Sequence, residues 1–146
     1  MHSLIIHDIS RDTLTCKVFD GDPKTEVTKV KSIKNGDDYN LSAISISTHT
    51  GTHIDAPLHF SDDGSPISKM RLNTFTGKCT VVTVNGILTG EDMDKILAEA
   101  GIAILENLDL SDISDGDYEL FAFPIKLGGL EAAPCRAILF EQERGL

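Results

Sequence analysis

Apolar residues along this chain recur mostly at every second position, the spacing of strands that turn one face inward. Residues 41–48, LSAISIST, alternate most cleanly, with Ile44 and Ile46 on one side and Ala43, Ser45 and Ser47 on the other. The run CTVVTV at 79–84 is rich in β-branched residues and predicts a strand inside the sheet. Leu4-Ile5-Ile6 with Asp8-Ile9 predicts a first strand, and Val27, Val30 and Ile33 predict a second over 25–33. Asn35-Gly36-Asp37-Asp38 then reads as the hairpin connection to 41–48. Phe19-Asp20-Gly21-Asp22-Pro23 is a turn built from strong breakers. Further strands are expected at 102–105, 118–127 and 135–140, with Gly128-Gly129 and Pro134 connecting the last two. Helical spacing occurs at Met93, Ile96, Leu97 and Ala100, opened by a Thr89–Asp92 capping pair and stopped by Gly101. Many strands and one clear helix predict an α+β, β-dominated class in a single domain over 1–146. Residues 61–77 form a long polar connection, of the kind used for lids and binding loops.

Composition narrows this picture. The 146 residues suit one domain, and 40% apolar content is enough for one core. Aromatic content is 5% with no Trp, so that core is expected to be mostly aliphatic. Thirteen basic against 23 acidic residues give a formal charge of −10, which repels nucleic acid and anionic membranes. Cys16, Cys79 and Cys135 are widely spaced, odd in number and form no CxxC pair, as expected of thiols in a reducing cytosol. The opening MHSLIIHDIS is too short and polar for a signal peptide, and no apolar run approaches the roughly 20 residues of a membrane span. A soluble cytoplasmic protein is expected.

The stretch STHTGTHIDAPLHF, 47–60, concentrates the candidate chemistry. A helix is excluded: Gly51 and Pro57 interrupt it, and Thr48, Thr50, Thr52 and Ile54 disfavour it. In an extended chain His49, Gly51, His53 and Asp55 share one face, and Gly51 places no side chain between the imidazoles. His49, His53 and Asp55 can then converge on one cation, with Zn²⁺ as first choice and Mn²⁺ or Fe²⁺ after it. Pro57 bends the path and sets His59 nearby, free to transfer a proton. Glu106 ends an apolar run, and a carboxylate buried there is costly unless paired or bound to a metal.

HTGTHIDAPLH resembles the HxGTHxDxPxH signature of the cyclase family of metal-dependent hydrolases, which includes the bacterial kynurenine formamidases (arylformamidases). The likeness extends to Asp8-Ile9-Ser10, Gly21-Asp22-Pro23 and the tail GDYELFAFPIKLGGLEAAPCRAIL. The resemblance implies a swivelling β/β/α-type fold and homodimers or homotetramers. It implies that His49, His53 and Asp55 bind a first metal, that Asp55 bridges to a second, that Glu106 closes the site, and that His59 is the catalytic acid and base. Three departures stand out. Family members are longer, and the missing block falls near 86–90, so shortening is expected to leave apolar surface for an oligomer. The histidine that helps hold the second metal is Asp94 here, either a ligand or a solvated residue in a helix's first turn. Relatives acting on formylkynurenine place a tryptophan before Gly21. Phe19 stands near that place and offers either a ring face or core packing.

The implied activity is hydrolysis of a small amide or formamide, or else an ester, lactone or imide, with one or two Zn²⁺ or Mn²⁺ ions per chain. The metal lowers the pKa of water from about 15.7 toward about 7, and His59 protonates the departing nitrogen. One rival reading is a metal-binding remnant or partner subunit without catalysis, motivated by the missing block and Asp94. Another is a cysteine hydrolase using Cys16, which has no recognisable histidine partner.

Overall fold

A computed structural model of the chain describes residues 4–18, 20–83 and 103–142. The strands are β1 (Leu4–Asp8), β2 (Glu26–Lys31), β3 (Leu41–Ser45), β4 (His53–Asp55), β5 (Thr76–Val81), β6 (Ile104–Glu106), β7 (Gly116–Pro124) and β8 (Ala132–Gln142). They form a six-stranded antiparallel sheet in the order β5-β7-β8-β4-β6, with β1 also on β8, and a separate β2-β3 ribbon. The expected helix, Asp94, Phe19 and the shortened block near 86–90 lie outside the described residues. No helix among the described residues is long and apolar enough to cross a membrane.

β8 organises the sheet. One edge pairs with β7 from Pro124↔Cys135 to Glu119↔Phe140. The other carries β4 on Ala132–Pro134 and then β1 on Ile138–Gln142. Alternation along β8 turns Ala133, Ala137 and Leu139 into the core, where they join Ile54 of β4, Tyr118 and Ala122 of β7, and Ile9. Ala137 lies directly opposite Ala122, both almost fully buried, so the layer closes here with very small side chains. The core is mainly aliphatic, as composition required, with Phe75 and Tyr118 as its buried aromatics.

Three expectations are corrected. The CTVVTV strand starts earlier, at Thr76, and ends at Val81; among the described residues β5 pairs only with β7 and ends the sheet. The 61–77 connection is not simply a polar loop, because two 3₁₀ turns, Ile67–Lys69 and Leu72–Phe75, bury Ile67 and Phe75 in the core. The strand expected over 41–48 stops at Ser45, where the chain turns toward His49.

Candidate metal centre

β4 contributes only the three residues His53–Asp55, all buried. Pairing places His53 opposite Glu106 on one side and Pro134 on the other, while Asp55 lies opposite Ile104 and Ala132. Directly opposed residues of antiparallel strands share a face. His53, Asp55 and Glu106 are therefore delivered to one face, and Ile54 turns into the core behind them.

His49 reaches the same face differently. The chain at 47–52 is a turn, not a strand, so the single extended face expected for His49, Gly51, His53 and Asp55 holds only from His53 onward. Gly51 causes the change. Its φ is +67°, a left-handed conformation, and a Cβ there would lie 2.7 Å from Thr13 Cα. The turn brings the His49 and His53 rings to 5.0 Å between centroids. Thr52 fastens it: its Oγ1 donates to Asn107 O at 2.6 Å and accepts from Arg11 N at 2.8 Å, and its carbonyl accepts from Cys135 N.

Pro57 opens the 3₁₀ turn Pro57–His59, whose fixed φ suits the first position. Gly64 packs against this turn so closely that a Cβ would meet the Pro57 backbone at 2.3 Å. The turn sets His59 with its Nε2 3.9 Å from Asp55 Oδ2 and its ring 4.4 Å from that of His49. Its side chain remains 36% exposed, so it meets solvent and an incoming molecule.

Electrostatics single out Asp55. Its side chain is 3% exposed, yet three imidazoles surround it: His49 Nδ1 at 3.0 Å and His53 Nε2 at 3.5 Å from Oδ1, and His59 Nε2 near Oδ2. Despite the short His49 distance, Oδ1 accepts no hydrogen bond of acceptable direction among the described residues. Proximity to Asp55 raises the His49 pKa above the usual histidine value, against the effect of burial. On His53 the tautomer is settled by chemistry: Nδ1 lies 2.9 Å from Gly51 O, a carbonyl that only accepts, so Nδ1 carries the proton. Nε2, the ring's other nitrogen, then faces Asp55 at 3.5 Å and Glu106 at 3.7 Å. A lone pair facing two carboxylates is repulsive unless a cation or a proton lies between them.

Two groups of ligand atoms are close enough to hold an ion, His49–Asp55–His59 and His53–Asp55–Glu106, and they share Asp55. The orphaned oxygen and the hard-and-borderline N/O donor set fit a divalent cation such as Zn²⁺ or Mn²⁺. The groups divide the candidates differently from the expected first set of His49, His53 and Asp55. The burial argument for Glu106 also fails, because its side chain is 40% exposed; strand register opposite His53 puts it here.

Sequence reasoning missed Glu131. This residue precedes β8, and its carboxylate lies 2.5 Å from Thr48 Oγ1, which donates to it, and 3.5 Å from His49 Nε2. The Thr48 hydrogen bond holds its pKa below the usual glutamate value. Its place in LGGLEAAP carries no local signal, since the contact spans 83 residues. Elsewhere, burial pushes the Cys135 thiol up to about 12, leaving it essentially un-ionised at neutral pH and poorly suited to nucleophilic work.

A family model for cyclases matches residues 5–109. A solved structure described as a potential metal-dependent hydrolase with cyclase activity is 21% identical, with a TM-score of 0.73 over 95% of this chain and 100% of that one. One from Bacillus stearothermophilus, described as a predicted metal-dependent hydrolase, is 22% identical, with a TM-score of 0.74 over 94% and 98%. Isatin hydrolase A from Labrenzia aggregata is 16% identical, with a TM-score of 0.75 over 96% and 94%. These matches establish the shared, strand-dominated fold.

Proposed function

The chain belongs to the cyclase family, and on that premise we propose that it is a metal-dependent hydrolase of a small amide or formamide. The observation that carries this reading is Asp55: a buried carboxylate with an unpaired oxygen, ringed by His49, His53 and His59. A buried carboxylate oxygen that accepts no well-directed hydrogen bond is expensive, and a cation held between these groups would remove the cost. His49, Asp55 and His53 are its principal holders, with Glu106 completing the His53 side and Asp94 a further candidate. One or two Zn²⁺ or Mn²⁺ ions per chain is the reading that the two overlapping ligand groups support.

When bound, the cation supplies Lewis acidity at the scissile carbonyl and makes water a nucleophile near neutral pH. The protein does the rest. Gly51 O fixes the His53 tautomer, leaving Nε2 free to bind. Asp55 holds negative charge at the centre. His59, partly exposed beside the cluster, takes a proton from water at Nε2 and returns it to the departing nitrogen. Phe19 is proposed as a ring face for the substrate. The isatin hydrolase named above motivates adding a cyclic amide to the candidate substrates.

We place the protein in the cytoplasm, a reading favoured by its three free cysteines. A homodimer or homotetramer is proposed from the exposed apolar residues of the β2-β3 ribbon. The decisive assay uses N-formyl anilides, isatin and simple esters with added Zn²⁺ or Mn²⁺, against a chelated control. Turnover that needs the metal is expected. Tight stoichiometric binding without turnover of any substrate would favour the non-catalytic remnant instead.

A further inference from the structure

We infer that Glu131 is a positioning residue for the cation site, holding the His49 ring through the nitrogen that faces away from Asp55. This rests on the metal reading given above. The ring of His49 has a carboxylate at each nitrogen: Asp55 Oδ1 is 3.0 Å from Nδ1, and Glu131 Oε1 is 3.5 Å from Nε2. Only Nδ1 faces the buried cluster, so Nδ1 is the nitrogen available to a cation and Nε2 the one left to donate a proton. A carboxylate behind a metal-binding imidazole fixes its tautomer and orientation and makes it a better donor.

Glu131 is built for that task. Thr48 Oγ1 donates to Oε1 at 2.5 Å, and Thr48 is the immediate neighbour of His49, so one carboxylate oxygen is aimed by the turn that carries the ring. The backbone of Glu131 is held independently. Its carbonyl accepts from Ala56 N at 2.8 Å, and the preceding Leu130 carbonyl accepts from Ile67 N at 3.0 Å. The fold therefore uses the main chain at this position, and the side chain is left for the histidine. His53 has the equivalent device in Gly51 O. Each of the two imidazoles nearest Asp55 thus has an acceptor facing its far nitrogen, a backbone carbonyl at 2.9 Å for His53 and, for His49, a carboxylate at 3.5 Å supplied from just before β8.

The test is a Co²⁺ titration of the full chain, read by the ion's visible absorption bands, on wild type, E131Q and T48V. Thermal unfolding of each metal-free protein is measured alongside. E131Q keeps the main-chain bonds and the side-chain length but loses the charge. It is expected to bind Co²⁺ about 10–100-fold more weakly, with altered bands and an unchanged metal-free melting temperature. T48V is expected to shift affinity the same way by a smaller factor, and it decides the matter by the same criterion if E131Q does not fold. Wild-type affinity and bands in the variants would overturn the role of Glu131 while leaving the metal site standing. Absence of Co²⁺ binding by the wild type would remove both readings together.

Discussion

His59 and Gly51 show two different ways in which a single residue serves this site. His59 meets the cluster at its rim, with Nε2 3.9 Å from Asp55 Oδ2 and its ring 4.4 Å from that of His49, and is the most exposed of its imidazoles. Its removal leaves His49, His53, Asp55 and Glu106 in place. His59→Ala is therefore expected to retain at least one ion while turnover falls about 10²–10⁴-fold, the usual contribution of a positioned acid–base group; metal analysis beside steady-state kinetics checks both halves. His53→Ala is expected to lose the ion on the His53–Asp55–Glu106 side, because Nε2 faces both carboxylates. Gly51 acts by conformation. Ala at φ +67° costs about 1–2 kcal/mol for the left-handed backbone alone, and the contact with Thr13 adds to it. Gly51→Ala should lower stability in urea titration by at least that amount and weaken metal binding, since the turn carries His49. The motif's residue types were readable because ligand chemistry is concentrated locally in HTGTHIDAPLH. Its conformation was only half readable: strict alternation assumes that every residue stays extended, and the close approach of Thr13 to Gly51 is invisible in sequence. Glu131 was unreadable for a related reason, because an isolated acid acquires meaning only from a partner distant along the chain.

At the scale of elements, β8 is the support on which the site stands. Its first residues pair with β4, and its middle forms the core with β7. Leu139 is 2% exposed within that core. Leu139→Ala should cost about 2–5 kcal/mol, as for other buried leucines cut to alanine, with the loss read from the midpoint of urea unfolding. Metal affinity of the folded fraction should change little, because Leu139 lies well along β8 from Ala132–Pro134. Most of these strands were legible from period-two alternation and β-branched runs, and β1, β2 and β7 fall close to where that pattern indicated; β8 starts three residues before the expected 135, so that Pro134, expected in the connection, pairs with His53 inside the strand. That β5 pairs only with β7 among the described residues was not legible, since a dense run of Val and Thr suits a central or an edge strand equally and pairing order is not written in composition. The 3₁₀ turns were hidden as well. Three or four residues carry too little periodicity, and Ile67 and Phe75 only make sense once the sheet they cover exists.

For the molecule as a whole, the ribbon of β2 and β3 is the feature that a single chain explains least. It forms a separate two-stranded sheet, and an isolated two-stranded hairpin is at best marginally stable in water. Val27 and Ile44 lie directly opposite each other and are 54% and 57% exposed, with Val30, Ile33, Tyr39 and Leu41 also exposed on the ribbon and its connection. Among the described residues nothing covers this surface fully. Burying apolar area stabilises at roughly 25 cal/mol per Å², so a second copy of the chain laid against the ribbon would stabilise both the assembly and the ribbon itself. Ile44→Lys puts a charge into the middle of that surface while leaving β4, β8 and the histidines untouched. Light scattering should report a dimer or tetramer for the wild type and a shift toward monomer for the variant at micromolar concentration. Co²⁺ affinity of the variant should stay close to wild type, because the candidate ligands all lie outside the ribbon. A wild type that is already monomeric, or an Ile44→Lys protein that keeps its full assembly, would show that the apolar face of the ribbon serves something other than a second copy.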